Sequence, residues 1–108
     1  MVSWPEHSAY AASKGGLLGL AKTAAIEGAI HNITVNVLEP GNVDTENVRA
    51  ERGPGHIETM AQAVPMRRLA TPHDCGEAVA FLASDAASYV TGTGFILDGG
   101  QTLLEAKA

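Results

Sequence analysis

Two side chains near the start of the chain could carry acid–base chemistry. Tyr10 and Lys14 lie four residues apart in a segment whose apolar spacing predicts a helix. Both side chains would therefore project from one helix face, about one turn apart. A neighbouring ammonium favours the charged phenolate over the neutral phenol. The pair could move a proton to or from a substrate oxygen as a general acid and base. The same spacing also occurs between ordinary surface neighbours, so it does not establish chemistry by itself.

The elements that would position this pair alternate between helix and strand. Helical spacing of apolar residues predicts a long helix from about Ala9 to Ile30, and the β-branched alternation of Ile33–Val37 predicts a strand that stops at Pro40-Gly41. A capping pattern at Thr71–Asp74 predicts a second helix, and the apolar run Phe95–Leu97 predicts a buried strand. This order favours an α/β fold with parallel strands. Two strands alone make a poor sheet, so the fold looks incomplete.

Packing expectations follow for both helices. The first helix is expected to be moderately amphipathic, with Leu17, Leu20 and Ile30 among its apolar residues. Each of its glycines costs about 1 kcal/mol of helix stability relative to alanine, which favours a closely packed helix partner. The expected buried stripe of the second helix consists of Ala78, Val79 and Leu82.

The segment 42–66 shows little periodicity apart from a weakly helical patch at 57–63. Long segments without regular structure in compact domains are commonly functional loops. We therefore expect residues 42–66 to form a mobile loop or lid.

Composition excludes several classes of protein. The chain has 108 residues, enough for one domain, and its 7 Lys plus Arg against 12 Asp plus Glu give a net charge of -5 with no basic stripe, so nucleic acid is not an expected partner. No apolar run has the length of a membrane span, and a cytoplasmic location is expected by default. The histidines His31, His56 and His73 match no familiar metal spacing, so we predict no metal site.

Three motifs together resemble those of the short-chain dehydrogenase/reductase family. Tyr10–Gly16 is similar to the active-site segment of that family, and Asn36–Thr45 is similar to its Pro-Gly segment. Thr91-Gly92 followed by Asp98–Gly100 is similar to its closing strand. The motifs occur in the family's order and cover nearly the whole chain. The sequence therefore resembles the C-terminal half of such an enzyme.

This resemblance implies a fold and a reaction. The fold would be the C-terminal part of a Rossmann-like doubly wound parallel sheet that lacks the N-terminal dinucleotide-binding βαβ units. Residues 1–108 would form a single partial domain, with 42–66 as a lid or substrate loop. The reaction would interconvert an alcohol and a carbonyl on a small molecule, with NAD or NADP as the cofactor.

The resemblance also implies roles for individual residues. Tyr10 would be the catalytic acid and base, and Lys14 its electrostatic helper and a ribose-binding group. The backbone of Val43 would contact the nicotinamide carboxamide, and the Thr45 hydroxyl the nicotinamide or its phosphate. The implied cofactor-binding residues are Lys14, Pro40, Gly41, Val43 and Thr45. Pro-Gly can equally end a strand without any ligand, so that alternative stays open.

Two parts of the family's machinery are absent from these 108 residues. No Gly-rich turn that could bind a pyrophosphate occurs, and Gly53–Gly55 is a poor substitute because its proline lacks an N–H donor. Ser3 and Ser8 lie too close to Tyr10 to match the family's catalytic serine. We therefore expect the chain alone to bind no dinucleotide.

Two hypotheses about function remain. In the first, the chain is a piece of an oxidoreductase that is active only with a complementary N-terminal half. In the second, it is a noncatalytic half-domain that associates with itself and binds no cofactor. Unpaired strand edges and uncovered apolar surface favour a partner in either case, with a homodimer or higher oligomer as the expectation for the chain by itself.

Overall fold

A computed structural model describes residues 5–105 of the chain. Its elements alternate between helix and strand, which confirms the predicted α/β class. In chain order they are α1 (Ser8–Ala29), β1 (Val37–Pro40), α2 (Glu46–Arg52), α3 (Pro54–Gln62), α4 (Pro72–Leu82), a 3-10 turn (Asp85–Ala87), β2 (Gly94–Leu97) and α5 (Gln101–Glu105).

The described sheet has two strands, β1 and β2. The Val37 N–H donates to the Thr93 carbonyl at 2.9 Å, and the Gly41 N–H donates to the Leu97 carbonyl at 2.9 Å. The residue numbers rise together along both strands, so the strands are parallel. A parallel pair with a helical connection is what the sequence predicts.

The chain divides into two compact units, each with its own set of contacts. Of the described residues, the first comprises 5–37 together with Phe81–Phe95. The second comprises Leu38–Ala80 and residues 96–105.

Helix α1 dominates the first unit and packs through its small residues. Ala21 and Ala25 are its buried positions. Leu17, Leu20 and Ile30 are exposed instead. The expectation of a moderately amphipathic helix is therefore wrong, because apolar side chains occupy both the packed face and the open face.

The glycines of α1 differ in their surroundings. A Cβ at Gly28 would come within 3.1 Å of the Ile33 side chain, so this glycine permits the chain to turn closely back on the helix end. The turn itself uses Asn32 at a positive φ of 59°, a conformation that asparagine adopts more readily than most residues. Nothing in the described part of the chain lies within 4 Å of a Cβ at Gly16 or Gly19. The closely packed helix partner stays a prediction.

The first strand begins later than its sequence pattern predicts. β1 starts at Val37 and not at Ile33. Just before it, the Asn36 side chain donates to the Val90 carbonyl at 3.0 Å and accepts from the Thr93 N–H at 3.2 Å. Before β1 these side-chain hydrogen bonds accompany a backbone bond, from the Gly92 N–H to the Val35 carbonyl at 2.8 Å, in place of a regular ladder. Alternation of residue types cannot reveal this arrangement.

In the second unit, segment 42–66 is mostly helical. The Thr45 hydroxyl accepts a hydrogen bond from the Val48 N–H at 3.2 Å and so caps α2. Gly53, at a φ of 78°, separates α2 from α3. The expectation of a largely irregular loop is wrong, because these two caps start and stop short helices without strong periodicity. A lid or substrate-loop role for the segment stays a prediction.

Helix α4 begins as its capping pattern predicts. The Asp74 N–H donates to the Thr71 hydroxyl at 3.0 Å, and the Thr71 N–H donates to the Asp74 carboxylate at 2.8 Å. These reciprocal bonds form a capping box. Ala78 is buried as expected, whereas Val79 is 52% exposed, so the predicted buried stripe is wrong at that residue.

The core of the described residues is small. Its buried apolar members are Ala21, Ala25, Val64, Leu69, Ala78 and Ala87. Many larger apolar side chains, Ile26 and Ile96 among them, are exposed. Burial of large side chains supplies most of the free energy that folds a domain. The described chain therefore carries apolar surface that a complete α/β fold would cover.

Two features are absent from residues 5–105. No helix in this range has the length and apolar character needed to cross a membrane. Nor do three or more His, Cys, Asp or Glu side chains gather there in a group that could hold a metal ion.

Gly99 provides a test of the packing in the second unit. Its φ is +61°, and an added Cβ would lie 2.8 Å from the Val64 Cγ1. Gly99→Ala should lower the free energy of unfolding by about 2 kcal/mol, from backbone strain and overpacking together. In contrast, a Cβ at Gly76 in α4 would meet nothing within 4 Å. Gly76→Ala should therefore raise the free energy of unfolding by about 0.5–1 kcal/mol. Urea denaturation of both variants measures the difference, and equal stabilities would contradict the described packing.

Candidate active site

Tyr10 and Lys14 lie in the first turns of α1, on one face. The Lys14 Nζ is 5.4 Å from the centroid of the Tyr10 ring, within the range of a cation–π contact. The Tyr10 side chain is 60% exposed, so its hydroxyl is open to a small molecule. The predicted proximity of these two side chains is confirmed.

Ser13 and His7 are neighbours of this pair, and neither forms a hydrogen bond to the Tyr10 hydroxyl. The Ser13 hydroxyl donates to the Tyr10 carbonyl at 2.8 Å, so it is directed back to its own helix. The His7 ring meets the Tyr10 ring edge-on, with 6.4 Å between centroids. A phenol held beside an ammonium and open to solvent can exchange a proton with a bound alcohol or carbonyl.

Val43 lies in the second unit, in a short extended segment that pairs with Ala70. The Ala70 N–H donates to the Asn42 carbonyl at 3.1 Å, and the Asp44 N–H donates to the Ala70 carbonyl at 2.8 Å. In this parallel bridge the N–H and C=O of Val43 itself point to the opposite edge. No hydrogen-bond partner for either group is found within residues 5–105. Val43 thus offers one donor and one acceptor to a ligand such as a carboxamide.

Pro40 and Gly41 end β1 beside the turn that follows β2. A Cβ at Gly41 would lie 2.9 Å from the Asp98 Cβ and 3.2 Å from its Cα. Glycine is needed here because the two backbones approach so closely. This contact accounts for the glycine without any ligand, and it also fixes the start of the extended Val43 segment.

Thr45 and Asp44 anchor the other end of that segment. The Thr45 hydroxyl accepts from α2, which leaves its own hydrogen for donation to a further acceptor. The Asp44 carboxylate receives two hydrogen bonds of 2.6 Å from the Arg49 guanidinium. These bonds hold the pKa of Asp44 below its ordinary value.

The turn Asp98–Gly100 leads into helix α5 and caps it, which its sequence pattern did not predict. Gly99 and Gly100 have positive φ values of 61° and 92°, a conformation that glycine adopts readily in a tight turn. The Asp98 carboxylate accepts from the Gly100 N–H and from the Thr102 N–H, both at 2.9 Å, and thereby caps α5. This helix was not predicted from the sequence. An aspartate five residues before the apolar pair Leu103-Leu104 is the signal that could have indicated it.

The six predicted site residues fall into two groups. Tyr10 and Lys14 are in the first unit, close together. Pro40, Gly41, Val43 and Thr45 are in the second unit, along one continuous segment. Ala70, Asp98 and Gln101 contact that segment, and Asn42 lies within it. None of these four was predicted from the sequence as a site residue.

Comparison with known proteins decides the family. The sequence model described as enoyl-(acyl carrier protein) reductase matches residues 1–102, nearly the entire chain. The chain belongs to the short-chain dehydrogenase/reductase family.

Relatives in this family are oxidoreductases, and the chain matches less than half of each. Oxidoreductase UcpA of Salmonella typhimurium is 46% identical over 112 aligned positions, which cover 97% of this chain and 43% of UcpA. 3beta-hydroxysteroid dehydrogenase 1 of Eggerthella lenta is 43% identical, with 95% of this chain and 40% of that enzyme covered. The NADP-bound structure of ElxO superimposes with a TM-score of 0.83 at 30% identity, over 94% of this chain and 42% of ElxO. The chain therefore corresponds to a fragment of a short-chain oxidoreductase.

The Asp98 carboxylate should make stability depend on pH. Partial burial acts to raise the pKa of Asp98, but hydrogen bonds from Thr102 and Gly100 together outweigh it and lower that pKa. The folded-state pKa thus lies below the unfolded value of about 3.9. The carboxylate stabilises the fold above that value, and the contribution is lost as the pH falls through the folded-state pKa.

Asp98→Asn should therefore lower the free energy of unfolding at pH 7 and flatten its decline between about pH 5 and pH 2. Urea midpoints measured across this range for the original chain and the variant test the prediction. The carboxylates of Asp44 and Asp74 titrate in both proteins, so their effects cancel in the difference. A difference that does not vary with pH would contradict the described cap.

Proposed function

We propose that this chain is the part of an NAD(P)-dependent short-chain oxidoreductase that holds the acid–base pair and the nicotinamide end of the cofactor. Joined to an N-terminal half, it would interconvert an alcohol and a carbonyl on a small molecule. The observation that carries this proposal is the exposed Tyr10 phenol with the Lys14 ammonium 5.4 Å from its ring centroid, in a chain of this family.

Tyr10 is proposed as the catalytic acid and base. In the oxidation direction its phenolate accepts the proton of the substrate hydroxyl, and in the reduction direction its phenol donates that proton to the new alkoxide oxygen. Lys14 stabilises the phenolate by its charge, and its remaining hydrogen-bond donors can bind ribose hydroxyls. Proton transfer by a positioned side chain contributes about 10²–10⁴-fold to a rate.

The residues of the second unit fit the nicotinamide end of a dinucleotide. The free N–H and C=O of Val43 can pair with a carboxamide, which has both an acceptor and a donor. The Thr45 hydroxyl can donate to the carboxamide or to a phosphate oxygen. When bound, the dinucleotide would supply the hydride donor or acceptor. ElxO binds NADP, which supports a dinucleotide here and leaves the choice between NAD and NADP open.

No segment of these 108 residues fits the pyrophosphate of a dinucleotide in the same way. Pyrophosphate sites use glycine-rich turns that present backbone N–H groups at the start of a helix. No such turn occurs in the sequence. We infer that the cofactor is held only when the N-terminal half is present.

A chimera tests the proposed function directly. The Eggerthella lenta 3beta-hydroxysteroid dehydrogenase would receive this chain in place of the segment that it matches. The chimera should bind a nicotinamide cofactor and oxidise a 3beta-hydroxysteroid. Tyr10→Phe removes the proton-transferring hydroxyl and should lower kcat by about 10²–10⁴-fold with cofactor affinity little changed.

The matched control is Tyr89→Phe, because Tyr89 is fully exposed and lies outside the proposed site. It should leave kcat unchanged within about 2-fold, since surface substitutions rarely perturb a distant site. A chimera that binds cofactor and turns over equally well with Tyr10→Phe would contradict the catalytic assignment.

A second candidate is a noncatalytic role in self-association. It is favoured by the exposed side chains of Leu20 and Ile26 on α1 and of Ile30 just after it. The open space around Gly16 and Gly19 on the same helix also favours it. Large apolar patches on a surface mark association sites. This candidate predicts that the chimera binds no cofactor, whereas the proposed function predicts binding, so one titration separates the two.

A further inference from the structure

Gln101 contacts the segment proposed to meet the nicotinamide. Its Oε1 accepts a hydrogen bond from the Asn42 Nδ2 at 3.3 Å, and both side chains are half-buried. The two residues are 59 positions apart in the sequence. A half-buried side-chain pair over such a separation ties two parts of the second unit together.

Asp98 determines where Gln101 lies. The Gln101 N–H donates to the Asp98 carbonyl at 3.2 Å. The carboxylate of Asp98 holds the residues on either side of Gln101, since it accepts from the Gly100 and Thr102 N–H groups. Asp98 itself packs against Gly41, directly before Asn42. The start of α5 is thus locked to the end of β1.

Asn42 is consequently held from two sides. Its carbonyl accepts from the Ala70 N–H on one side, and its side-chain amide donates to Gln101 on the other. Val43 follows immediately, with its free N–H and C=O on the edge away from Ala70. Rotation of the Asn42 backbone would change the direction of both groups.

We propose that Gln101 is a positioning residue that fixes Asn42 and thereby aims the Val43 backbone at the nicotinamide carboxamide. This inference rests on the proposed function and deepens it. Gln101 contacts no reacting atom and acts only through Asn42. Its loss should weaken cofactor binding and leave the proton-transfer step nearly intact.

The first test uses the chimera described above. Gln101→Leu keeps the size of the side chain and removes its acceptor. The KM for the cofactor should rise about 3- to 10-fold, the range expected for one net hydrogen bond, with kcat changed less than about 2-fold. Gln101→Glu retains an acceptor for the Asn42 amide and should restore most of the affinity.

A matched control is Ser84→Ala, which lies outside both the proposed site and segment 42–66. The Ser84 hydroxyl also makes a side-chain hydrogen bond, donating to the Phe81 carbonyl at 2.6 Å, but at an exposed place. This variant should leave the cofactor KM unchanged. An unchanged KM in Gln101→Leu, or an equal rise in both variants, would overturn the inference.

A second measurement needs no activity and separates this inference from the proposed function. Amide hydrogen exchange in the chain itself reports on the Asp44 and Ala70 N–H groups, which close the bridge around Val43. Gln101→Leu should speed their exchange about 3-fold or more, in line with one lost hydrogen bond, and the control Ser84→Ala should not. Unchanged exchange overturns the positioning role. If exchange in the chain becomes faster but the chimera binds no cofactor, the proposed function and the link to the nicotinamide are overturned, whereas the positioning of Asn42 by Gln101 stands.

Discussion

The second unit depends on a close approach between the end of β1 and the turn after β2. Gly41 donates its N–H to Leu97, and Asp98 fills the space where any side chain at position 41 would lie. Because the two backbones meet there, the extended segment after Gly41 begins in a defined direction. The same aspartate caps α5 and places Gln101 against Asn42. One steric constraint thus orients both the Pro-Gly segment and the residues that support it.

The chain leaves more apolar surface open than a complete domain would. The buried residues are mainly alanines, while several leucines and isoleucines of α1 are exposed. An α/β sheet normally has both faces covered, and two parallel strands cannot do this alone. The chain spans less than half the length of the curated relatives it matches. The open face of α1 is therefore expected to contact further protein, either the rest of such a fold or another copy.

Local chemistry made much of the fold predictable. The long helix, the capping box at Thr71 and the Tyr10–Lys14 pair each involve residues no more than a few turns apart, so spacing alone indicates them. The late start of β1 could not be predicted, because the Asn36 side chain bonds to Val90 and Thr93, more than 50 residues away. The short helices in 42–66 depend on single caps at Thr45 and Gly53, which carry no periodic signal.

The same distinction applies to the candidate site. The family resemblance predicted Val43 and Thr45 as site residues. It did not predict that the Val43 backbone groups are free, because that follows from the pairing with Ala70. That pairing joins residues that are 27 positions apart in the sequence. Gln101 was missed for the same reason, since its partner Asn42 lies 59 positions away. Long-range contacts therefore decide which predicted residues are oriented for a ligand.

In the proposed function, this chain holds the nicotinamide end of a dinucleotide site and lacks the pyrophosphate end. Titration of the purified chain with NADPH and with NADH, followed by nicotinamide fluorescence, tests this division. We expect no saturable binding by the chain alone and saturable binding by the chimera that supplies the N-terminal half. Saturable micromolar binding by the chain alone would contradict it, because these 108 residues would then contain a pyrophosphate site of another kind.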